Sequence, residues 1–274
     1  MDVNIFQALL VFVVAFIAAI DQFSFLESLY QPIVLCPIVG AILGNFELGI
    51  VVGGAYQLMQ IGSMPIGGAQ PPNAIMGGIM ATVFAIALDL SPTADGVGAA
   101  LGLAVPFAVF GQYAVTLTFT VMSGLMAKAD EYAAKADTAG IAKINYLSML
   151  ILGSLFGVIA VAGLYSGQAL GDTLREFSLN NSWVMAGLDA AGGMMKFVGF
   201  AILMKVMMSN EMWGYLLAGF AITVVMKSIP EVDGASLLLV SFIGVAIALA
   251  DYQMNTKIKN SAGSAGNGGM SDGI

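Results

Sequence analysis

From Leu48 to Leu88 the chain carries no charged residue. A helix needs only about 20 mostly apolar residues to cross a bilayer, so this one run can hold more than one pass. Val3–Ile20, Gly96–Ala127, Ile144–Gly171 and Gly234–Ala250 are uncharged as well. Across all 274 residues, 59% are hydrophobic and 9% charged, where a soluble domain carries about a quarter charged residues. Such a chain cannot cover its own surface in water. The expected fold class is all-α: a polytopic transmembrane helical protein with broken or re-entrant helices, in roughly seven to ten membrane segments by the length rule.

Met1–Phe6 holds the acid Asp2 and no Lys or Arg, unlike the basic start of a cleavable signal. Ala8–Ile20 is therefore read as a retained first membrane segment. One cysteine and no histidine exclude a disulfide framework and any Cys/His zinc site. Cys36, inside the apolar run Pro32–Leu43, reads as a packing residue. No metal and no cofactor is expected on this chain. The net charge of −8, with no basic stripe, argues against a nucleic-acid partner.

Ala127–Lys143 (AKADEYAAKADTAGIAK) is the one long polar segment of the interior. Alanines and charges alternate there at helical spacing, which predicts a short exposed helix or a helix extension. Lys128, Lys135 and Lys143 lie in it, and Lys257 and Lys259 follow the last apolar run: five of the nine basic residues. The positive-inside rule puts both regions in the cytoplasm, with an even number of crossings between them. The expected division is a membrane-embedded domain over residues 1–254 and a disordered polar tail over Asn255–Ile274, which is rich in Gly, Ser and Asn.

The apolar runs are not plain lipid-facing helices. Gly-Gly pairs occur at Gly53–Gly54, Gly67–Gly68, Gly77–Gly78 and Gly192–Gly193, and prolines stand at 32, 37, 65, 71, 72 and 106. Glycine permits close helix packing and proline removes a backbone donor. Broken backbone at membrane depth survives only under protein or beside a water-filled cavity, and transporters build binding sites from it.

Gly53–Asn73 (GGAYQLMQIGSMPIGGAQPPN) is the richest stretch. It carries Gln57, Gln60, Ser63, Gln70 and Asn73 without a charge. Amides donate and accept, which suits the hydroxyls of a neutral sugar, and an uncharged site avoids the cost of burying a charge in the membrane. The other reading of these amides is helix glue. Asp21–Gln31 (DQFSFLESLYQ) is a second candidate, with Asp21, Gln22 and Glu27 next to membrane depth; its other reading is an interfacial loop with an aromatic belt of Phe23, Phe25 and Tyr30. In Gly187–Lys205, Asp189 and Lys196 stand two helical turns apart, placed either to pair across the Gly-Gly break or to snorkel to opposite interfaces. The methionines from Met194 to Met212 read as core filler. No phosphate loop ending in Lys-Ser or Lys-Thr is present, and a chain without histidine forms no phosphohistidine. It is read as a transport subunit and not an enzyme, so any modification of the cargo falls to another subunit.

Gln31-Pro32, then Gly40, Gly44-Asn45 and Gly49, then GGAYQLMQIG and GGAQPPN, resemble the IIC subunit of the mannose/fructose/sorbose class of phosphotransferase permeases. LGDTLREFSLN, GLDAAGGMMKFVGFAILMKVMM and the following Tyr215, Gly219 and Phe220 continue the resemblance, which covers Asn4–Tyr252. The AQPPN form and the DGI ending are most similar to the N-acetylgalactosamine-type branch. The resemblance implies a multi-pass protein of the bacterial cytoplasmic membrane that imports a hexose or amino sugar: N-acetylgalactosamine, galactosamine, mannose or fructose. It implies a membrane IID partner in a trimer of heterodimers and cytoplasmic IIA and IIB subunits that pass phosphate to the sugar. It also implies an elevator-like movement and a sugar site near Gly53–Asn73. Many members carry Glu where this chain has Gln57. An ion-coupled secondary transporter of a small polar solute is the alternative, resting on Asp21, Glu27 and Asp189.

Overall fold

The computed structural model describes residues 3–62, 71–93, 96–229 and 235–266, which contain helices and turns and no strand. Local signals start five of the helices. Asn4 accepts from the Phe6 N–H while Gln7 Oε1 accepts from the Asn4 N–H, a capping box that opens α1 (Ile5–Ser24). Pro32 occupies the first turn of α2 (Pro32–Ile42), where its missing N–H costs nothing. Gly44, at φ +88°, makes the left-handed turn, and the Asn45 side chain then caps α3 (Phe46–Gln60) through the Leu48 N–H. Asn73 caps α4 (Ala74–Ala87) through Ile75 and Met76. After α5 (Gly98–Ser123) and α6 (Met126–Ala134), Asp137 caps α7 (Thr138–Asn180) through Gly140. α8 spans Ser182–Met207.

In lipid the hydrophobic effect does not drive helices together, so close packing must, and here glycine supplies it. A Cβ on Gly40 would stand 2.8 Å from the Gly49 Cα; one on Gly49 would stand 2.7 Å from the Cys36 carbonyl oxygen. α2 and α3 therefore form a hairpin whose backbones touch. α1 runs antiparallel to α7, with Phe16 over Gly153 and Phe12 over Gly157. α4 is the hub: every residue from Ile75 to Ala85 is buried, as a helix apolar all round should be. Cys36 is fully buried beside it and packs as expected.

Five helices are long and apolar enough to cross a membrane: Ile5–Ser24, Gly98–Ser123, Thr138–Ala169, Ser182–Met207 and Ser236–Ile258; α2 and α4 are shorter apolar helices. The uncharged run Leu48–Leu88 thus holds no full-length span among its described residues. Its apolar residues make helices of 15 and 14 residues, each shorter than the ~20 a span needs. The Gly192–Gly193 pair does not break α8, contrary to the expectation. A Cβ on Gly192 would land on the Gly98 carbonyl, so this glycine serves the crossing of α8 over α5. Ala127–Lys143 becomes exposed α6 and the first turns of α7, with an exposed Lys135–Glu131 ion pair at 2.6 Å, of a kind worth about 0–1 kcal/mol.

A second compact unit begins at Met207. A short 3-10 turn (Asn210–Met212) leads into α9 (Trp213–Lys227), which packs against α10 (Ser236–Gly266). α10 continues to Gly266, past Asn255 where the sequence suggested a disordered tail. Asn255 Nδ2 bonds Asp251 and the Thr256 hydroxyl bonds the Tyr252 carbonyl, and no proline interrupts the helix. Residues 267–274 lie outside the described residues.

Candidate functional site

Gln31, the cap of α2, and Asn73, the cap of α4, each take part in an amide hydrogen bond to a distant helix. Gln57 Nε2 donates to Gln31 Oε1 at 2.9 Å, and Gln57 Oε1 accepts from the Ile33 N–H at 3.3 Å, in the first turn of α2. One turn along α3, Gln60 Nε2 donates to the Pro72 carbonyl at 3.3 Å. Asn73 Nδ2 donates to Gln22 Oε1, near the end of α1, at 3.1 Å. Gln57 and Gln60 share a helix face by their spacing. Asn73 is buried, whereas the four glutamines are half-buried and so are open to a solute on one side.

Asn73 lies beside the middle of α5. The Asn73 N–H donates to the Ala108 carbonyl at 2.9 Å, and Gly111 lets α5 approach, since a Cβ there would stand 3.2 Å from the Asn73 Cβ. At 1.5 Å per residue, Ala108 lies about 15 Å from the start of α5 and about 22 Å from its end. The first N–H groups of α2 and α4 are taken up locally, Ile33 by Gln57 and Ile75 and Met76 by Asn73, so these two helix starts contribute the positive ends of their dipoles rather than free donors.

Asp21 is 1% exposed. Its carboxylate accepts from the N–H groups of Leu26 (3.1 Å), Leu29 (2.7 Å) and Tyr30 (3.2 Å). Three donors to one carboxylate compensate its burial and close the loop that carries Gln31. Glu27 is exposed in this loop, with φ +53°. Tyr56 is fully buried with its hydroxyl against Gly77. That hydroxyl has no hydrogen-bond partner among the described residues.

Of the residues singled out from sequence, Gln22 bonds Asn73, Gln57 bonds Gln31, Gln60 bonds the Pro72 carbonyl, and Asp21 lies under the loop that carries Gln31. Ser63 and Gln70 lie outside the described residues. Asp189 lies against Gly98, far along α5 from the cluster, and the Lys196 side chain lies outside the described residues. Gln31 was not singled out, although it is one of the linked amides. The available signal was its place directly before Pro32: an amide at the mouth of a helix that proline starts.

The model of the sorbose-specific IIC component of phosphotransferase systems matches residues 5–250. The chain belongs to this family. It is similar to the N-acetylgalactosamine permease IIC component 1 of Escherichia coli, 33% identical over 261 residues that cover 95% of this chain and 92% of that protein. It is also similar to the mannose-specific EIIC component of Escherichia coli, 29% identical over 269 residues, covering 96% and 94%. Among solved structures, one of a membrane protein matches with a TM-score of 0.78 at 27% identity, covering 92% of this chain and 97% of that one. A chain of the mannose transporter ManYZ, in complex with a microcin, matches with a TM-score of 0.55 at 27% identity and the same coverage. This is a multi-pass membrane protein and a sugar-specific IIC transport component of a phosphotransferase system. The ion-coupled alternative falls to that family assignment.

Proposed function

We propose that this IIC component imports a neutral hexose or a 2-acetamido hexose across a bacterial cytoplasmic membrane, and that the amides of Gln22, Gln31, Gln57, Gln60 and Asn73 bind it. The observation that carries this reading is an uncharged set of half-open amide donors and acceptors gathered beside the starts of α2 and α4. Each amide spends only part of its capacity on a neighbour, so sugar hydroxyls find both donors and acceptors. Ser63 and Gln70 belong to the same amide-rich segment of the sequence. Asp21 is a positioning residue that holds the Gln31 loop. The family supports a IID partner in a trimer of heterodimers, with phosphate delivered by IIA and IIB. An elevator movement is supported by the glycine contacts of α2 and α3, which make a unit able to move as one body.

Cells that express the chain with IIA, IIB and IID subunits test this. N-acetylgalactosamine or mannose should accumulate as its phosphate, and this polypeptide, which has no histidine, should carry no label from the phosphorylated soluble components. Stable phosphate on this chain would refute the division of labour; failure to accumulate either sugar would refute the substrate class.

The cytoplasmic placement of α6 has its own test. Ala133→Cys should react with an impermeant maleimide only in inside-out vesicles. Cys36 is fully buried and needs no replacement. Reaction in intact cells would reverse the orientation.

A further inference from the structure

α5 has three faces below the amide cluster. Ala114, Val115, Thr118 and Met122 are buried against the protein. Leu117 and Val121 are exposed and apolar, as a lipid-facing surface should be. Gln112, Thr116, Thr120 and Ser123 form the third face by helical spacing, and the three hydroxyl residues are exposed. Lipid offers such a face nothing.

That face lines a groove of about 660 Å³ that begins at Pro72 and ends at Ser123, a size typical of small-molecule sites, about 300–1,000 Å³. Pro72 joins the groove to the cluster, since its carbonyl receives the Gln60 amide and Asn73 follows it. Tyr113 and Phe119 flank the hydroxyls, and Phe119 meets Phe23, the residue after Gln22, edge-on at 5.3 Å. Aromatic faces beside a few polar groups suit the apolar faces of a sugar ring. The hydroxyl hydrogens are already committed: Thr116 donates to the Gln112 carbonyl, Thr120 to the Thr116 carbonyl and Ser123 to the Thr120 carbonyl. What remains toward the groove is a row of oxygen acceptors, spaced over about 16 Å of helix from Gln112 to Ser123.

We propose that this groove is the route by which the sugar leaves the amide cluster toward the α6 end, its hydroxyls donating in turn to Thr116, Thr120 and Ser123. The inference rests on the amide cluster being the sugar site. A row of single acceptors holds a solute weakly at several successive points, which favours passage over retention. Residues that bind at the cluster set affinity, whereas those of the row set the rate of release.

Thiol accessibility in inside-out vesicles holding the complete IIC–IID complex tests the route. Thr116→Cys and Thr120→Cys should react with an impermeant methanethiosulfonate about tenfold faster than Leu117→Cys and Val121→Cys on the lipid face. N-acetylgalactosamine or mannose should slow the first pair and not the second. Equal rates on the two faces, or reaction of the first pair that neither sugar slows, overturns the route. So does a first pair that reacts in the isolated chain and is silent in the complex, because the face then belongs to the IID subunit. Gln57→Ala separates the two proposals. If sugar still protects Thr120→Cys with an unchanged half-protecting concentration, the route stands and the cluster is not the sugar site. If that concentration rises about tenfold with protection retained, both stand. In transport, Thr116→Val with Thr120→Val should lower the maximal rate about fivefold and leave the half-saturating concentration in place; a changed concentration with an unchanged rate overturns the route.

Discussion

Gln57→Ala should raise the half-saturating sugar concentration about tenfold or more in cells that hold normal amounts of the complex. The alanine removes the donor to Gln31 Oε1 and the acceptor for the Ile33 N–H. A net hydrogen bond is worth about 0.5–1.5 kcal/mol, and a buried group left unpaired costs about 1–3; about 1.4 kcal/mol is a factor of ten. Gln57→Glu should behave differently. A carboxylate still accepts from Ile33 and gains about 0.3–1 kcal/mol from the N-terminal end of α2. It no longer donates to Gln31, whose amide must turn its NH₂ group inward to meet it. The outward-facing set then changes from donor to acceptor at that point. Preference between N-acetylgalactosamine and mannose should shift before transport is lost. Asn145→Ala, at an exposed position early in α7, should alter neither property. Normal affinity and preference in a well-expressed Gln57→Ala complex would place the sugar site elsewhere.

The second large effect separates two adjacent glycines. A Cβ on Gly53 would stand 2.7 Å from the Pro32 carbonyl oxygen and 3.1 Å from Pro37 Cδ, whereas one on Gly54 meets nothing within 4 Å. The Gly53 neighbours are backbone and a ring, neither of which can swing aside. Gly53→Ala should therefore part α2 from α3 and displace Gln31 from Gln57. Overpacking of this kind costs about 1–3 kcal/mol. Gly54→Ala should instead stabilise α3 by up to about 1 kcal/mol through helix propensity. Thermal unfolding of the detergent-purified protein should fall for the first and hold or rise for the second. Equal responses at the two positions would show that α2 and α3 do not touch as described.

Several features were legible before any fold was known. Asn4, Asn45, Asn73 and Asp137 start helices by side-chain caps that their own sequence neighbourhoods specify. The amide-rich stretch Gly53–Asn73 stood out because polar residues without charge are rare inside so apolar a run. Other features were not legible. Gln31 looked like a loop residue, because its partner Gln57 lies 26 positions away. Asp21 looked like an ionisable group in search of a substrate or an ion, and no pattern announced the three loop N–H groups that occupy it. The Gly192–Gly193 pair looked like a break in a helix, since glycine looks the same in sequence whether it bends a chain or admits a neighbour.

The sequence by itself determined that this chain lives in a membrane as helices, that the helices are interrupted between Gln31 and Asn73, and which side chains have the chemistry to hold a sugar. These follow from composition, from proline and glycine geometry and from hydrogen-bonding capacity, all properties of residues and near neighbours. Tertiary structure alone decided that Gln31 pairs with Gln57, Gln22 with Asn73 and Gln60 with the Pro72 carbonyl, and that the polar face of α5 runs on from Pro72. Those outcomes depend on which glycines are covered by which backbones, and contact between distant segments in lipid is set by shape rather than by hydrophobicity.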